Sequence, residues 1–109
     1  MREADVQRAV MQLLTLRGFR VFRRNVMGNL VLQGKHGSRV VKVGVKGQSD
    51  LYGWHRRTGR HFEIEVKAPG NKPTPDQAAW LASADADGAL AFWTDSVSCT
   101  DQTLTHLGY

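Results

Sequence analysis

The sequence predicts an α/β domain, a small mixed β-sheet with helices on its faces. Three observations carry this. Apolar residues recur at helical spacing near the N-terminus. Two alternating segments flank a short turn at Arg57-Thr58-Gly59, and a strand, a capped helix and an apolar run follow one another between residues 61 and 93. At 109 residues the chain has the length of one domain, read as 1–109 without a linker.

Residues 4–17 form the first predicted helix. Val6, Ala9, Val10, Leu13 and Leu14 share a face, and Gly18 can supply its left-handed stop. Glu3, Gln7, Val10 and Leu14 lie on one stripe of it. Phe19–Arg24 alternates and reads as a first strand, with Phe19, Val21 and Arg23 on one side. Gly28, Gly34, Gly37, Gly44 and Gly47 then exclude a long helix. Leu30–Leu32 and Val40, Val41, Val43 and Val45 read as two strands of a basic, glycine-rich hairpin or flap.

Ser49–Trp54 and His61–Lys67 are expected to pair antiparallel across the Arg57–Gly59 turn. A turn centred between Thr58 and Gly59 sets Lys67 opposite Asp50, Glu65 opposite Tyr52 and Glu63 opposite Trp54. Ile64 and Val66 then face the core. Thr74-Pro75-Asp76-Gln77 starts a helix: Thr74 caps, Pro75 takes the first helical position and Gln77 completes a capping box. That helix runs to about Asp85 and stops before Gly88. Ala89–Trp93 is a continuous apolar run, expected as a strand buried on both faces. Together these make a βαβ unit, for which the right-handed crossover is the rule. A short helix over about 100–107, ended by Gly108, completes the reading.

The composition closes several function classes. Apolar residues are 41% and charged residues 23%, which is ordinary for a folded domain. A lone cysteine, Cys99, forms no internal disulfide, so a reducing compartment is expected. Neither a membrane-length apolar run nor an N-terminal signal core is found, and no repeat is evident. The net charge of +5 is unevenly distributed: residues 17–60 hold eleven basic residues and one acid, Asp50, whereas residues 61–109 carry −5. A basic half of this kind points to a polyanion, most simply nucleic acid.

Glu63, Glu65 and Lys67 alternate, so all three project from one face of their strand, and pairing brings Asp50 beside them. Clustered carboxylates repel unless a positive charge sits among them. Hard oxygen donors without a Cys/His cluster suit Mg²⁺ or Mn²⁺ rather than zinc. Such an ion bridges to a phosphate oxygen and lowers the pKa of bound water, and Lys67 can orient that water or stabilise charge on phosphorus. Glu63 reads as a solvent-facing or supporting residue. Trp54, Trp80 and Trp93 read as core or interface. A solvated acidic strand face on a catalytically inactive or RNA-directed binding module is the alternative.

Asp50, the Glu65-Val66-Lys67 strand, and Gln77 with Trp80 on the next helix resemble the VRR-NUC domain of the PD-(D/E)XK nuclease superfamily. The resemblance extends over nearly the whole chain, from Glu3 to the strand after Gly88. It implies a restriction-endonuclease-like core and a Mg²⁺- or Mn²⁺-dependent DNA endonuclease. Asp50, Glu65 and the Val66 backbone carbonyl are then metal ligands, with Glu3 a further one. Lys67 is the catalytic lysine, and Gln77 and Glu3 support the site. Small standalone members resemble homodimeric enzymes of branched DNA, including four-way (Holliday) junctions, so a cytoplasmic homodimer in a bacterial or phage-infected cell is expected. Ser49 departs from the family, which often has proline before the aspartate. Arg23, Arg24, Lys46, Arg56, Arg57 and Lys72 are the candidate DNA contacts.

Overall fold

The computed structural model describes residues 1–24, 29–42 and 45–109. The elements run α1 (Glu3–Leu16), β1 (Phe19–Arg23), β2 (Asn29–Gly34), β3 (Gly37–Lys42), β4 (Leu51–His55), β5 (His61–Val66), α2 (Pro75–Ala86), β6 (Leu90–Thr94) and α3 (Val97–His106). The main sheet has the order β1-β4-β5-β6. β4 pairs antiparallel with β1 and β5, and β6 joins β5 in parallel. The parallel pair requires the crossover that α2 supplies. The predicted mixed α/β class is the one observed.

The core lies on one face of this sheet. Val6, Val10 and Leu14 of α1 and Leu104 of α3 pack on Phe19, Leu51, Phe62, Ile64, Val66 and Leu90. Phe62 is fully buried at the centre of this face, so Phe62→Ala costs about 3–5 kcal/mol in lost transfer energy and cavity. The opposite face carries Glu63 and Glu65 and is covered over β5 and β6 by α2. Gly53 keeps β1 close to β4. A Cβ there would stand 1.8 Å from the Arg20 carbonyl oxygen, and its φ of +150° lies outside the range that suits other residues.

Three expectations change. Leu51 stands opposite Ile64, Tyr52 opposite Glu63 and Trp54 opposite His61, a register two residues from the predicted one. The cause is a four-residue turn, Arg56–Gly59, closed by the His55 N–H on the Arg60 carbonyl (2.9 Å) and the Gly59 N–H on the His55 carbonyl (2.7 Å). An even slip keeps every side chain on its predicted face, and continuing the observed register sets Asp50 opposite Glu65. Secondly, the Ala89–Trp93 run is not buried on both faces. β6 is an edge strand and Trp93 remains 38% exposed. Finally, none of the three tryptophans is buried, so of the core-or-interface reading the core half is lost.

The expected hairpin exists as β2 and β3, paired antiparallel from Asn29↔Lys42 to Gly34↔Gly37. Val45 falls beyond it, and Val43 lies outside the described residues.

Candidate active site

Three acidic side chains from three separate elements converge on the α2-facing side of the sheet. Glu3 opens α1, Asp50 leads into β4 and Glu65 sits near the end of β5. Each offers an oxygen within 4.8 Å of the others. One Asp50 carboxylate oxygen accepts the Val66 N–H at 3.0 Å, which fixes it against β5. Lys67, just past the strand, places Nζ 3.7 Å from Glu65 Oε1. Gln77 reaches the same oxygen through its Nε2 at 2.9 Å.

The approach to Asp50 depends on one glycine. At Gly47 φ is +87°, and an added Cβ would stand 2.4 Å from the Asp76 carbonyl oxygen. Only glycine lets the loop press this closely on the first turn of α2. Lys46 pairs with the Asp76 carboxylate there at 3.2 Å. The opposite end of the approach is held by the α2 capping box. The Gln77 N–H bonds Thr74 Oγ1, and Gln77 Oε1 accepts the Thr74 N–H at 2.9 Å. Gln77 is therefore both the capping partner and a neighbour of Glu65, one end of its amide serving each.

Glu65 is 1% exposed, and its Oε2 has no hydrogen-bond partner among the described residues. Burial, and then the negative charge of Asp50, raise its pKa to about 8, although Lys67 opposes the shift. A buried carboxylate with an unpartnered oxygen, facing two further carboxylates, is destabilised as an anion unless a cation joins it. The donor set is entirely oxygen, which fits a hard divalent ion. Asp50, Glu65 and Glu3 are the side chains positioned to hold one.

Glu63, two residues earlier on the same face, has a different environment. Arg24 grips it with both guanidinium nitrogens, at 2.7 and 3.3 Å. Ser49 Oγ donates to it at 2.8 Å, Trp80 Nε1 at 2.8 Å, and His61 Nε2 lies 2.6 Å from Oε2. The solvent-facing reading of Glu63 is thus overturned: it is 2% exposed and caged. Burial would raise its pKa, but the hydrogen bonds from Arg24, Trp80 and Ser49 outweigh that and lower it. Ser49 also explains its own position: it is buried and bonds Glu63, which proline could not do.

The basic candidates separate by environment. Arg23, Arg56, Arg57 and Lys72 are exposed. Arg24 is engaged with Glu63 and stacks 4.4 Å above the Tyr52 ring, whereas Lys46 is exposed like the others and makes a surface ion pair with Asp76. The cage around Glu63 escaped sequence reading because Arg24, Ser49 and Trp80 come from three distant segments. The one available signal was the presence of a third acid on a strand bound for a βαβ unit, where both faces are covered.

The fold and site together define a class of domain. A solved structure described as a VRR_NUC domain superposes on this chain with a TM-score of 0.68, covering 98% of this chain and 97% of that one at 24% sequence identity. The chain therefore has the fold of a VRR_NUC domain, the fold its motifs resemble. No protein-family model matches the sequence, and no curated protein matches it. Among the described residues no helix is long and apolar enough to cross a membrane.

Proposed function

We propose that this protein is a metal-dependent DNA endonuclease that hydrolyses phosphodiester bonds, with branched DNA, four-way junctions included, as its substrate class. The observation that carries the reading is the convergence of Glu3, Asp50 and Glu65 beside Lys67, with Glu65 buried and one of its oxygens unpartnered. Asp50 and Glu65 hold Mg²⁺ or Mn²⁺, with Glu3 and the Val66 carbonyl as further donors. A bound ion supplies Lewis-acid polarisation of a phosphate oxygen and a more acidic water. Asp50 is kept in place for this by the Val66 N–H, and Glu65 by the Gln77 amide. Lys67, half-buried beside Glu65, points a fixed positive charge to where negative charge grows on the phosphate, and its N–H bonds orient the attacking water. Exposed Arg23, Arg56, Arg57 and Lys72 contact backbone phosphates on either side.

Among the described residues one chain carries one such site, and symmetric cutting of a junction needs two. A two-fold homodimer supplies them, and the unpaired edge of β6 with exposed Trp93 is a surface on which it can form. The deciding experiment is cleavage of linear, flapped and four-way DNA with Mg²⁺, with Mn²⁺ and with EDTA. Metal-dependent cutting lost in Lys67→Ala is the expected result. Binding without cleavage under every condition overturns the reading in favour of an inactive binding module, and full activity of Lys67→Ala overturns the role given to that lysine.

A further inference from the structure

The sheet face that carries the candidate site continues past it into an uncovered aromatic surface. Tyr52 and Trp54 alternate with the core residues of β4 and share the face of Asp50. Phe22 of β1 stands opposite Tyr52, and Arg20 stands opposite Trp54. The Phe22 ring lies 5.6 Å from Tyr52 and 5.5 Å from Trp54, tilted by 32° and 36°. These rings form one tilted group across two strands. Phe22 is 42% and Trp54 43% exposed, because α2 packs over β5 and β6.

Two features of this surface select its occupant. It is rimmed by positive charge: Arg20, Arg56 and Arg57 are all exposed around the Trp54 end. A second copy docked here through a two-fold axis would bring those arginines toward their own counterparts, which costs binding energy. A polyanion meets no such penalty. The exposed groups are also aromatic rings, which stack on flat π-systems. Base faces are hidden inside a duplex and available in single strands.

We infer that Phe22 and Trp54, with Tyr52 and its Arg24 cover packed behind them, form a stacking platform for unpaired bases of single-stranded DNA, leading that strand along β4 into the carboxylate site. At the rise of a strand, Trp54 and Asp50 are separated by roughly 13 Å, a span of a few nucleotides. This inference rests on the nuclease reading and sharpens it: the substrate carries unpaired nucleotides beside the phosphate that is cut. A cleft of about 520 Å³ on the same face, lined by Arg24, His61, Glu63 and Trp80 among others, adjoins the path and can receive a base.

The test is equilibrium binding in EDTA, where no cleavage intrudes. Wild-type protein is titrated with a short oligothymidylate and with a blunt duplex of equal length, following tryptophan fluorescence and anisotropy. The expected result is quenching by the oligothymidylate, with binding weakened about tenfold in Trp54→Ala and in Phe22→Ala and restored in Trp54→Phe. Both substituted side chains are partly exposed, and melting curves confirm that the variants fold. Unchanged oligothymidylate affinity in both alanine variants overturns the platform. So does a wild-type dimer that becomes monomeric on Trp54→Ala, which would place the rings in a protein interface. Duplex or junction DNA bound in EDTA and cut once Mg²⁺ is added, without quenching by oligothymidylate, sinks the platform while leaving the nuclease reading intact. Failure to bind DNA of any form sinks both.

Discussion

Glu63 and Glu65 occupy one strand, one face and nearly the same depth, yet their surroundings are opposed. Around Glu63 every oxygen is engaged, by Arg24, Ser49, Trp80 and His61, and its pKa is lowered although burial acts the other way. Around Glu65 the neighbours are Asp50 and Glu3, one oxygen is unpartnered, and burial together with Asp50 lifts its pKa to about 8. Depth therefore says little about the role of a buried acid. The donors around it decide whether it is scaffold or site.

The contrast is broken most severely at the chemical step. Glu65→Gln, Asp50→Asn and Lys67→Ala are each expected to slow cleavage by about 100- to 1,000-fold or more while the melting temperature holds. Single-turnover rates beside calorimetry check this. Comparable melting losses in all three would mean the cluster is structural.

Glu63 should behave in reverse. Glu63→Ala leaves the Arg24 guanidinium, which is 18% exposed, without its counter-ion, and breaking a buried pair costs about 3–5 kcal/mol. Urea unfolding of Glu63→Ala and Glu65→Ala measures the difference directly. Equal destabilisation by the two would erase the distinction drawn here.

Titration separates the same pair by sign. Glu65 has a folded pKa raised above its ordinary 4.5, so its stabilising contribution is full below that value and is lost as pH rises through about 8. Metal-free protein should melt at progressively lower temperature over that range. Mg²⁺ should reverse the loss, and Glu65→Gln should flatten it. Glu63 has a lowered pKa, so its contribution is present above 4.5 and is lost as pH falls through the folded value. A melting temperature that climbs from neutral to mildly alkaline pH without metal contradicts the assignment for Glu65.

The smallest effect lies outside both environments. Arg56→Ala with Arg57→Ala should leave stability within about 0.5 kcal/mol. The pair should flatten the dependence of log affinity on log salt, by about 0.9 for each phosphate that is no longer neutralised. A steep slope retained in the double variant removes the β4–β5 turn from the DNA path.

Much of this was legible in the residues themselves. The Thr74–Gln77 helix start, the stop at Gly18 and the strand bearing Glu65-Val66 are local signals, and the structure places them as read, with Lys67 one residue beyond the strand rather than on it. The β4–β5 register was not, because it depends on which of several turns Arg56–Gly59 adopts. The Glu63 cage was illegible for a different reason. Alternating acids normally mark a wet strand face, and here α2 covers that face; the βαβ pattern signals the cover but not which side chains meet beneath it. Read one at a time, Arg24 looks like a phosphate contact and Ser49 like a mere replacement for proline. Their meaning exists only as a pair around Glu63.

That pair has a consequence for how the chain can vary. The Arg24 N–H bonds the Asp50 carbonyl at 2.7 Å, and the Arg24 guanidinium bonds the Ser49 carbonyl at 3.0 Å. Arg24 and Ser49–Asp50, which lie either side of the β2–β3 hairpin in sequence, thus form a single clasp. Loop-closure entropy grows only by about 0.6 kcal/mol for each doubling of loop length, and the clasp fixes both ends of the loop. The hairpin of residues 29–42 is accordingly a module: its length can change at little thermodynamic cost, while Gly47 and the carboxylates keep their positions.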